Sequence, residues 1–103
     1  RRNRHNLSAD VIKEEGETEF RRHFEILYPQ FITELHKRTD NLGRREELVC
    51  MLVVLNQDNH QIGDLLNIAY RSVVVEKHRI KQKMQLEADE NLDNILKEII
   101  KKN

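Results

Sequence analysis

Residues 58–86, DNHQIGDLLNIAYRSVVVEKHRIKQKMQL, carry the strongest structural signal in this chain of 103 residues. Asp58 and Gln61 have the D-x-x-Q spacing of a capping box, in which two side chains satisfy free N–H groups at a helix start. Apolar residues then recur at i, i+3 and i+4 from Ile62, which predicts a short amphipathic helix. A second helix is predicted from Arg71 to about Met84. Two short helices joined by a tight connection are the outline of a helix-turn-helix unit.

The second predicted helix has two different sides when its residues are placed about 100° apart. The side predicted to pack on the first helix is mostly apolar and carries Val73, Lys77, Ile80 and Met84. The opposite side carries Val74, Val75, His78, Arg79 and Gln82. Two adjacent valines among cations are unusual for a surface that meets only water. The pattern alone leaves a DNA-binding surface and an ordinary two-helix hairpin with a charged exterior equally open.

Positive charge is concentrated on this second helix, although the formal net charge of the whole chain is zero. Residues 69–86 contain five lysines and arginines against one acid, which gives a net charge of +4. Residues 87–103 contain five acids and three lysines, which gives −2. An element that faces DNA phosphates requires such a local excess of positive charge. The distribution therefore favours nucleic acid as a partner.

From Leu42 to Leu86 the chain resembles the LuxR/GerE-type helix-turn-helix domain of bacterial transcription regulators, and the alignment needs no gap. The matching residues are Leu42, Arg45, Glu46, Val49, Ile62, Leu66, Ile68, Ser72, Val73, Ile80, Lys83 and Met84. The resemblance implies an all-α, tetrahelical DNA-binding domain. A narrower resemblance, to a branch found at the C-termini of large sensor proteins of Bacteroidetes-like bacteria, extends over FEILYPQFITELHKR (24–38) and ADENLDNIL (88–96).

Five positions depart from the family's pattern. Gly43 and Asp58 stand where the family has threonine and serine caps, and both residue types can cap a helix. Val74 and Glu76 replace a common lysine and histidine of the recognition helix, which bears on the DNA sequence that is bound. Gln85 replaces a glycine, so an easy left-handed cap after that helix is lost.

The second helix is therefore predicted to enter the major groove of double-stranded DNA. The residues predicted to read base edges are Val74, Val75, His78 and Arg79, and those predicted to hold phosphates are Arg71, Ser72, Lys81 and Lys83. The valines can contact thymine methyl groups, while the histidine and the arginine can donate to guanine N7 or O6. The alternative is a helical protein–protein interaction module without DNA binding, in which the valines are the anchors.

Three regions are predicted along the chain. Residues 1–16, with a basic start at Arg1, Arg2, Arg4 and His5, are expected to be a linker or the end of a preceding segment of a longer protein. Such a start would suit the cytoplasmic flank of a membrane helix in a parent protein. Residues 17–41 are predicted to form an N-terminal helical extension, which Pro29 interrupts near Tyr28. Residues 42–103 are predicted to form the helix-turn-helix domain.

A last amphipathic helix is predicted from about Asp89, because aliphatic residues recur at i, i+3, i+4, i+7 and i+8. In the family that the chain resembles, this helix often forms the dimer contact. A homodimer is therefore predicted, with a contact made by Leu92, Ile95, Ile99 and Ile100. The alternative is that these residues, together with Leu96, all pack within one chain.

No pattern in the sequence predicts an enzyme, a metal site or a cofactor. There is no glycine-rich phosphate loop, and the five histidines lack partners at metal-ligand spacing. Cys50 lies in an apolar run and is expected to be a buried free thiol. No apolar run is long enough to span a membrane, so a cytoplasmic location is expected. Besides DNA, a sensor region preceding residue 1 and RNA polymerase are the candidate partners.

Overall fold

A computed structural model describes residues 7–101, and within that range the chain forms seven helices and no strand. The helices are α1 (Val11–Glu15), α2 (Glu17–Leu27), α3 (Phe31–Arg38), α4 (Arg44–Val54), α5 (Asn59–Leu66), α6 (Tyr70–Lys83) and α7 (Leu92–Lys101). The all-α fold predicted from the sequence is confirmed. The basic start of the chain lies outside the described residues. No helix within the described range is both long enough and apolar enough to cross a bilayer.

Helix α4 lies at the centre of the molecule, where α6 and α7 both pack against it. Every residue from Leu48 to Val54 is buried, as expected for a helix that is apolar on all sides. One hydrophobic core extends from α4 into the other helices. The residues buried in this core include Leu48, Val49 and Leu52 of α4, Ile62 and Leu66 of α5, and Val73 and Ile80 of α6.

The N-terminal helices contribute an aromatic cluster to the same core. Phe20, Phe24 and Phe31 are fully buried, and the ring centroids of Phe24 and Phe31 lie 5.4 Å apart. The break predicted near Tyr28 is present, since α2 ends at Leu27 and α3 begins at Phe31. Pro29 lies two residues before α3, inside the turn that connects the two helices. The Phe31 N–H closes this turn by donating to the Tyr28 carbonyl at 3.1 Å.

The sequence pattern did not predict α1. Ala9 and Ile12 are buried in the core, and α1 packs on α2 and also contacts α5. Gly16, with φ of 94°, makes the sharp connection between α1 and α2. A helix of five residues is too short to display a hydrophobic period, so the spacing of apolar residues could not predict it. The region boundaries drawn at residues 16 and 41 stay predictions.

The connection between α5 and α6 is tight. At the start of α5, the Gln61 N–H donates to Asp58 Oδ1 and the Asp58 N–H donates to Gln61 Oε1, both at 2.8 Å, so the predicted capping box is confirmed. Asn67 ends the helix in the left-handed conformation, with φ of 59°. A Cβ added at Gly63 would lie 2.8 Å from the backbone oxygen of Ile68, so this turn requires glycine.

Helix α6 ends in a left-handed residue that is not glycine. Gln85 has φ of 58°, and the following Leu86 N–H donates to the Lys81 carbonyl at 3.1 Å. We expect Gln85→Gly to raise the free energy of unfolding by about 1 kcal/mol, because glycine adopts this conformation without a Cβ penalty. Urea denaturation measures the change. The matched control is Gln82→Gly inside α6, which should lower stability by about 1 kcal/mol; destabilisation by both would contradict the prediction.

Helix α7 begins at Leu92, later than predicted, because Asn91 caps it by accepting a hydrogen bond from the Asn94 N–H at 2.9 Å. Leu92, Leu96 and Ile99 are buried in the core, where α7 packs on α4 and α3. The dimer contact predicted at Leu92 and Ile99 needs correction, because side chains enclosed in their own core cannot meet a second chain. Ile95 and Ile100 are only half-buried and remain accessible on α7.

Candidate nucleic-acid interface

Helix α6 has one buried side and one accessible side. Val73 and Ile80 are fully buried, whereas the neighbouring Val74 and Val75 are 43% and 41% exposed. His78, Arg79, Arg71 and Ser72 are exposed as well, and Lys81 is half-buried. The four residues predicted to read bases therefore share one accessible surface, which we call the α6 surface: Tyr70, Arg71, Ser72, Val74, Val75, His78, Arg79 and Lys81.

Apolar side chains are unusually exposed at the start of this surface. Tyr70 is 48% exposed, and its ring stacks on that of His60 with centroids 4.4 Å apart and planes 26° apart. Neither residue was predicted from the sequence to belong to this surface, because a stacking partner on another helix leaves no mark in the hydrophobic period. The position of Tyr70, one helical turn before Val74, was the signal that could have identified it.

Two of the five cations between residues 69 and 86 are already paired within the chain. Lys77 Nζ lies 3.5 Å from Asp93 Oδ1 on α7, and Lys83 Nζ donates to Glu46 Oε1 at 2.8 Å. Arg71, Arg79 and Lys81 have no acidic partner among residues 7–101. These three cations are therefore the ones available to DNA, while the ammonium of Lys83 is held by a carboxylate on α4.

Glu46 joins the start of α4 to the end of α6. Its Oε1 accepts hydrogen bonds from the Gly43 N–H and from Lys83, each at 2.8 Å. Burial has the largest effect on the pKa of Glu46 and raises it, but the bonds from Lys83 and Gly43 and the nearby positive charges together lower the pKa below the usual 4.5. The carboxylate is thus ionised at neutral pH, and it fixes the register of α6 against α4.

We expect Lys83→Met to lower the free energy of unfolding by about 1–3 kcal/mol at neutral pH, because a buried carboxylate loses its charged donor. The pKa of Glu46 is depressed in the folded state, so the pair stabilises the protein above about pH 4.5 and this contribution is lost as the pH falls through the depressed value. Urea denaturation at neutral and at acidic pH measures both effects. Lys81→Met is the control and should change stability by less than about 0.5 kcal/mol; equal stability of the two variants would contradict the assignment.

The adjacent Glu47 ties the N-terminal helices to α4. Its Oε1 accepts from Arg21 Nη2 on α2, and its Oε2 lies at hydrogen-bond distance from His36 Nε2 on α3, both at 2.6 Å. The sequence did not predict this contact, because His36 and Glu47 are 11 positions apart on different helices. Glu47 thus links α2 and α3 to α4, the helix against which α6 packs.

Two further chemical features lie away from the α6 surface. Glu15, Glu19 and His23 form the one cluster of possible metal-ligand atoms within the described range. Glu15 is exposed, Glu19 and His23 are half-buried, and Glu19 is already paired with Arg22 at 2.8 Å, so the cluster is explained as a group of polar surface contacts. Cys50 is a buried free thiol, as predicted, and burial raises its pKa, which keeps it in the unreactive protonated form.

Comparison with known proteins gives one match. The family model for bacterial regulatory proteins of the luxR family matches residues 40–92, which is just over half of the chain. The matched segment contains α4, α5 and α6 and ends where α7 begins. Neither the curated proteins nor the solved structures gave a match.

Proposed function

The chain belongs to the luxR family of bacterial regulatory proteins, and on that premise we propose that it binds double-stranded DNA sequence-specifically as the output domain of a transcription regulator. The observation that carries the proposal is the α6 surface. Two exposed valines lie there among three cations that have no acidic partner in the described part of the chain. The other side of α6 is anchored in the core through Val73 and Ile80.

Within this proposal the accessible residues of α6 divide into two groups. Val74, Val75, His78 and Arg79 meet base edges in the major groove, where apolar groups, donors and acceptors distinguish the four base pairs. Arg71, Ser72 and Lys81 hold phosphates, which fixes the position of the helix without reading sequence. The phosphate role first predicted for Lys83 is replaced by an anchoring role, because that ammonium is bonded to Glu46.

The proposal extends to partners. A second copy would pack on the half-buried Ile95 and Ile100 of α7, which places two recognition helices on one side of the DNA. A sensor region preceding residue 1 would supply the input, and RNA polymerase is the expected partner on DNA. Since chromosomal DNA is the target, the proposed location is the cytoplasm. No enzymatic step belongs to this function.

Selection of binding sites from random duplex DNA tests the proposal. We expect an enriched sequence made of two half-sites about one helical turn, roughly 10 bp, apart from centre to centre. Binding that persists without any enriched sequence would contradict sequence-specific recognition. An enriched sequence with a single half-site would contradict the dimer but would leave DNA binding intact.

A second candidate function is a helical protein-interaction module. It is favoured by the exposed Tyr70, Val74 and Val75 and by the formal net charge of zero. Salt dependence separates the two functions, because phosphate contacts make the logarithm of affinity fall by about 0.9 per contact for each tenfold rise in salt. An apolar protein interface would respond weakly to the same change.

A further inference from the structure

We propose that the start of α6 recognises the C5-methyl group of a pyrimidine, so that thymine and 5-methylcytosine are bound better than uracil and cytosine at the same position. The ligand class is therefore the 5-methylpyrimidines. The proposal rests on the proposed function, since it requires α6 to lie in the major groove. In addition, we propose that an apolar contact, rather than a hydrogen bond, determines which base is preferred opposite the two valines.

The exposed apolar area of the described chain is concentrated at this place. Between residues 7 and 101 only four large hydrophobic residues are exposed, and three of them are Tyr70, Val74 and Val75. The fourth, Ile26, lies on α2. Single exposed apolar residues are ordinary on protein surfaces, whereas a cluster marks a contact site. In the major groove, the C5-methyl group is the apolar feature that a base pair presents.

The exposed residues form two rows along the helix, each spaced at i and i+4. One row is Tyr70, Val74 and His78, and the other is Arg71, Val75 and Arg79. Each row has a valine in its middle, with a ring or an arginine one turn away on either side. The polar ends of the rows can reach phosphates or guanine edges, while the valines at the centre can neither donate nor accept a hydrogen bond. On DNA, the group that can cover them is an apolar group on a base.

The apolar contact is also rigid before any DNA arrives. Valine in a helix occupies one strongly preferred rotamer, because its branched Cβ is crowded by the preceding turn. Tyr70 is held by its stack on His60, at 4.4 Å between ring centroids. The backbone below them is fixed by the buried Val73 and Ile80. Ordering these side chains on binding therefore costs little, and most of the gain from covering a methyl group appears as affinity.

The size of the effect follows from the burial of one methyl group. Removing such a group from water changes a binding constant by about fourfold. We expect this factor at one or two positions of each half-site, no more than one for each valine, and no effect at thymines elsewhere.

The experiment uses duplexes selected by the wild-type chain. Each thymine is replaced in turn by deoxyuridine, which removes only the C5-methyl group, and binding is followed by fluorescence anisotropy. We expect affinity to fall by about fourfold at one or two thymines of each half-site. At the same positions, a 5-methylcytosine–guanine pair should be bound about fourfold more tightly than a cytosine–guanine pair.

Matched variants assign the effect to named side chains. Val74→Ala and Val75→Ala should each reduce the preference for thymine over uracil at one position to less than about twofold, with binding to the uracil duplex retained. Both changes keep the fold, because the valines are exposed and alanine favours helix. Ile26→Ala removes the one exposed large hydrophobic residue between residues 7 and 101 that lies outside α6, and it should leave the preference unchanged.

Two results would overturn the proposed methyl recognition, and a third would overturn the proposed function. If thymine and uracil duplexes bind equally at every position, methyl recognition is wrong while DNA binding stands. If thymine is preferred over uracil but 5-methylcytosine is bound no better than cytosine, the proposed ligand class is wrong. If no duplex binds at low salt, the proposed function itself fails.

Discussion

Replacing Phe24 with alanine is expected to lower the free energy of unfolding by about 3–5 kcal/mol, a large part of the stability of a small domain. Its ring is fully buried and lies 5.4 Å from Phe31 and 6.1 Å from Phe20, measured between centroids. The core that contains Phe24 also contains the buried residues of α4, α5 and α6. The loss should therefore weaken the helix-turn-helix unit together with the N-terminal helices, in a single cooperative transition.

Urea denaturation followed by circular dichroism at 222 nm measures this prediction. The matched control is Ile26→Ala, which truncates a side chain on the same helix that is 64% exposed, and it should change stability by less than about 0.5 kcal/mol. A loss below about 1 kcal/mol for Phe24→Ala would contradict the single core. Unfolding of the N-terminal helices in a separate transition at lower urea concentration would also contradict the single core.

Reversing two charges on the α6 surface is expected to weaken DNA binding by at least about 60-fold at 0.1 M salt. The double variant is Arg71→Glu with Lys81→Glu. Each phosphate contact contributes about 0.9 to the slope of log affinity against log salt. Over the tenfold range from 1 M to 0.1 M salt, the loss of two contacts therefore lowers affinity by about 60-fold. Neither cation has an acidic partner in the described part of the chain, so their replacement breaks no ion pair there.

The control for this double variant changes the net charge by the same amount elsewhere. Lys13→Glu with Arg38→Glu alters two exposed positions on α1 and α3. Salt titrations of both double variants and the wild type on one selected duplex separate a local contact from a general charge effect. The α6 variant should also show a slope shallower by about two units. Equal losses in both double variants would show that net charge, and not the α6 surface, governs binding.

The parts of the fold that the sequence predicted are those set by local periodicity. Val73, Ile80 and Met84, predicted to lie on the packed side of α6, are buried, because the side of a helix that a residue occupies follows from spacing alone. The capping box at Asp58 is local as well. The left-handed cap after α6, which was expected to be lost because Gln85 replaces a glycine, is present with φ of 58°, so that expectation was wrong. The exposure of Val74 and Val75 followed from the same rule, although which base each valine meets remains a prediction.

The features that the sequence did not predict depend on contacts between distant residues. Lys83 and Glu46 are 37 positions apart, and nothing in the local pattern around Lys83 indicates that its ammonium is bonded within the chain. Arg21 is 26 positions from Glu47. The burial of Leu92 and Ile99 depends on how α7 meets α4 and α3, so an apolar stripe could not reveal whether it faces its own core or a second chain.

Titration of the isotopically labelled chain with a selected duplex, followed by backbone amide NMR, tests most directly whether α6 reads DNA. We expect the largest shift changes within residues 69–82 and at the start of α5 near His60, with small changes on α2. The same titration with a scrambled duplex should leave the valine amides nearly unchanged while still perturbing those of Arg71 and Lys81. Shift changes centred on α2 or on α7, with α6 unperturbed by the selected duplex, would contradict the proposed interface.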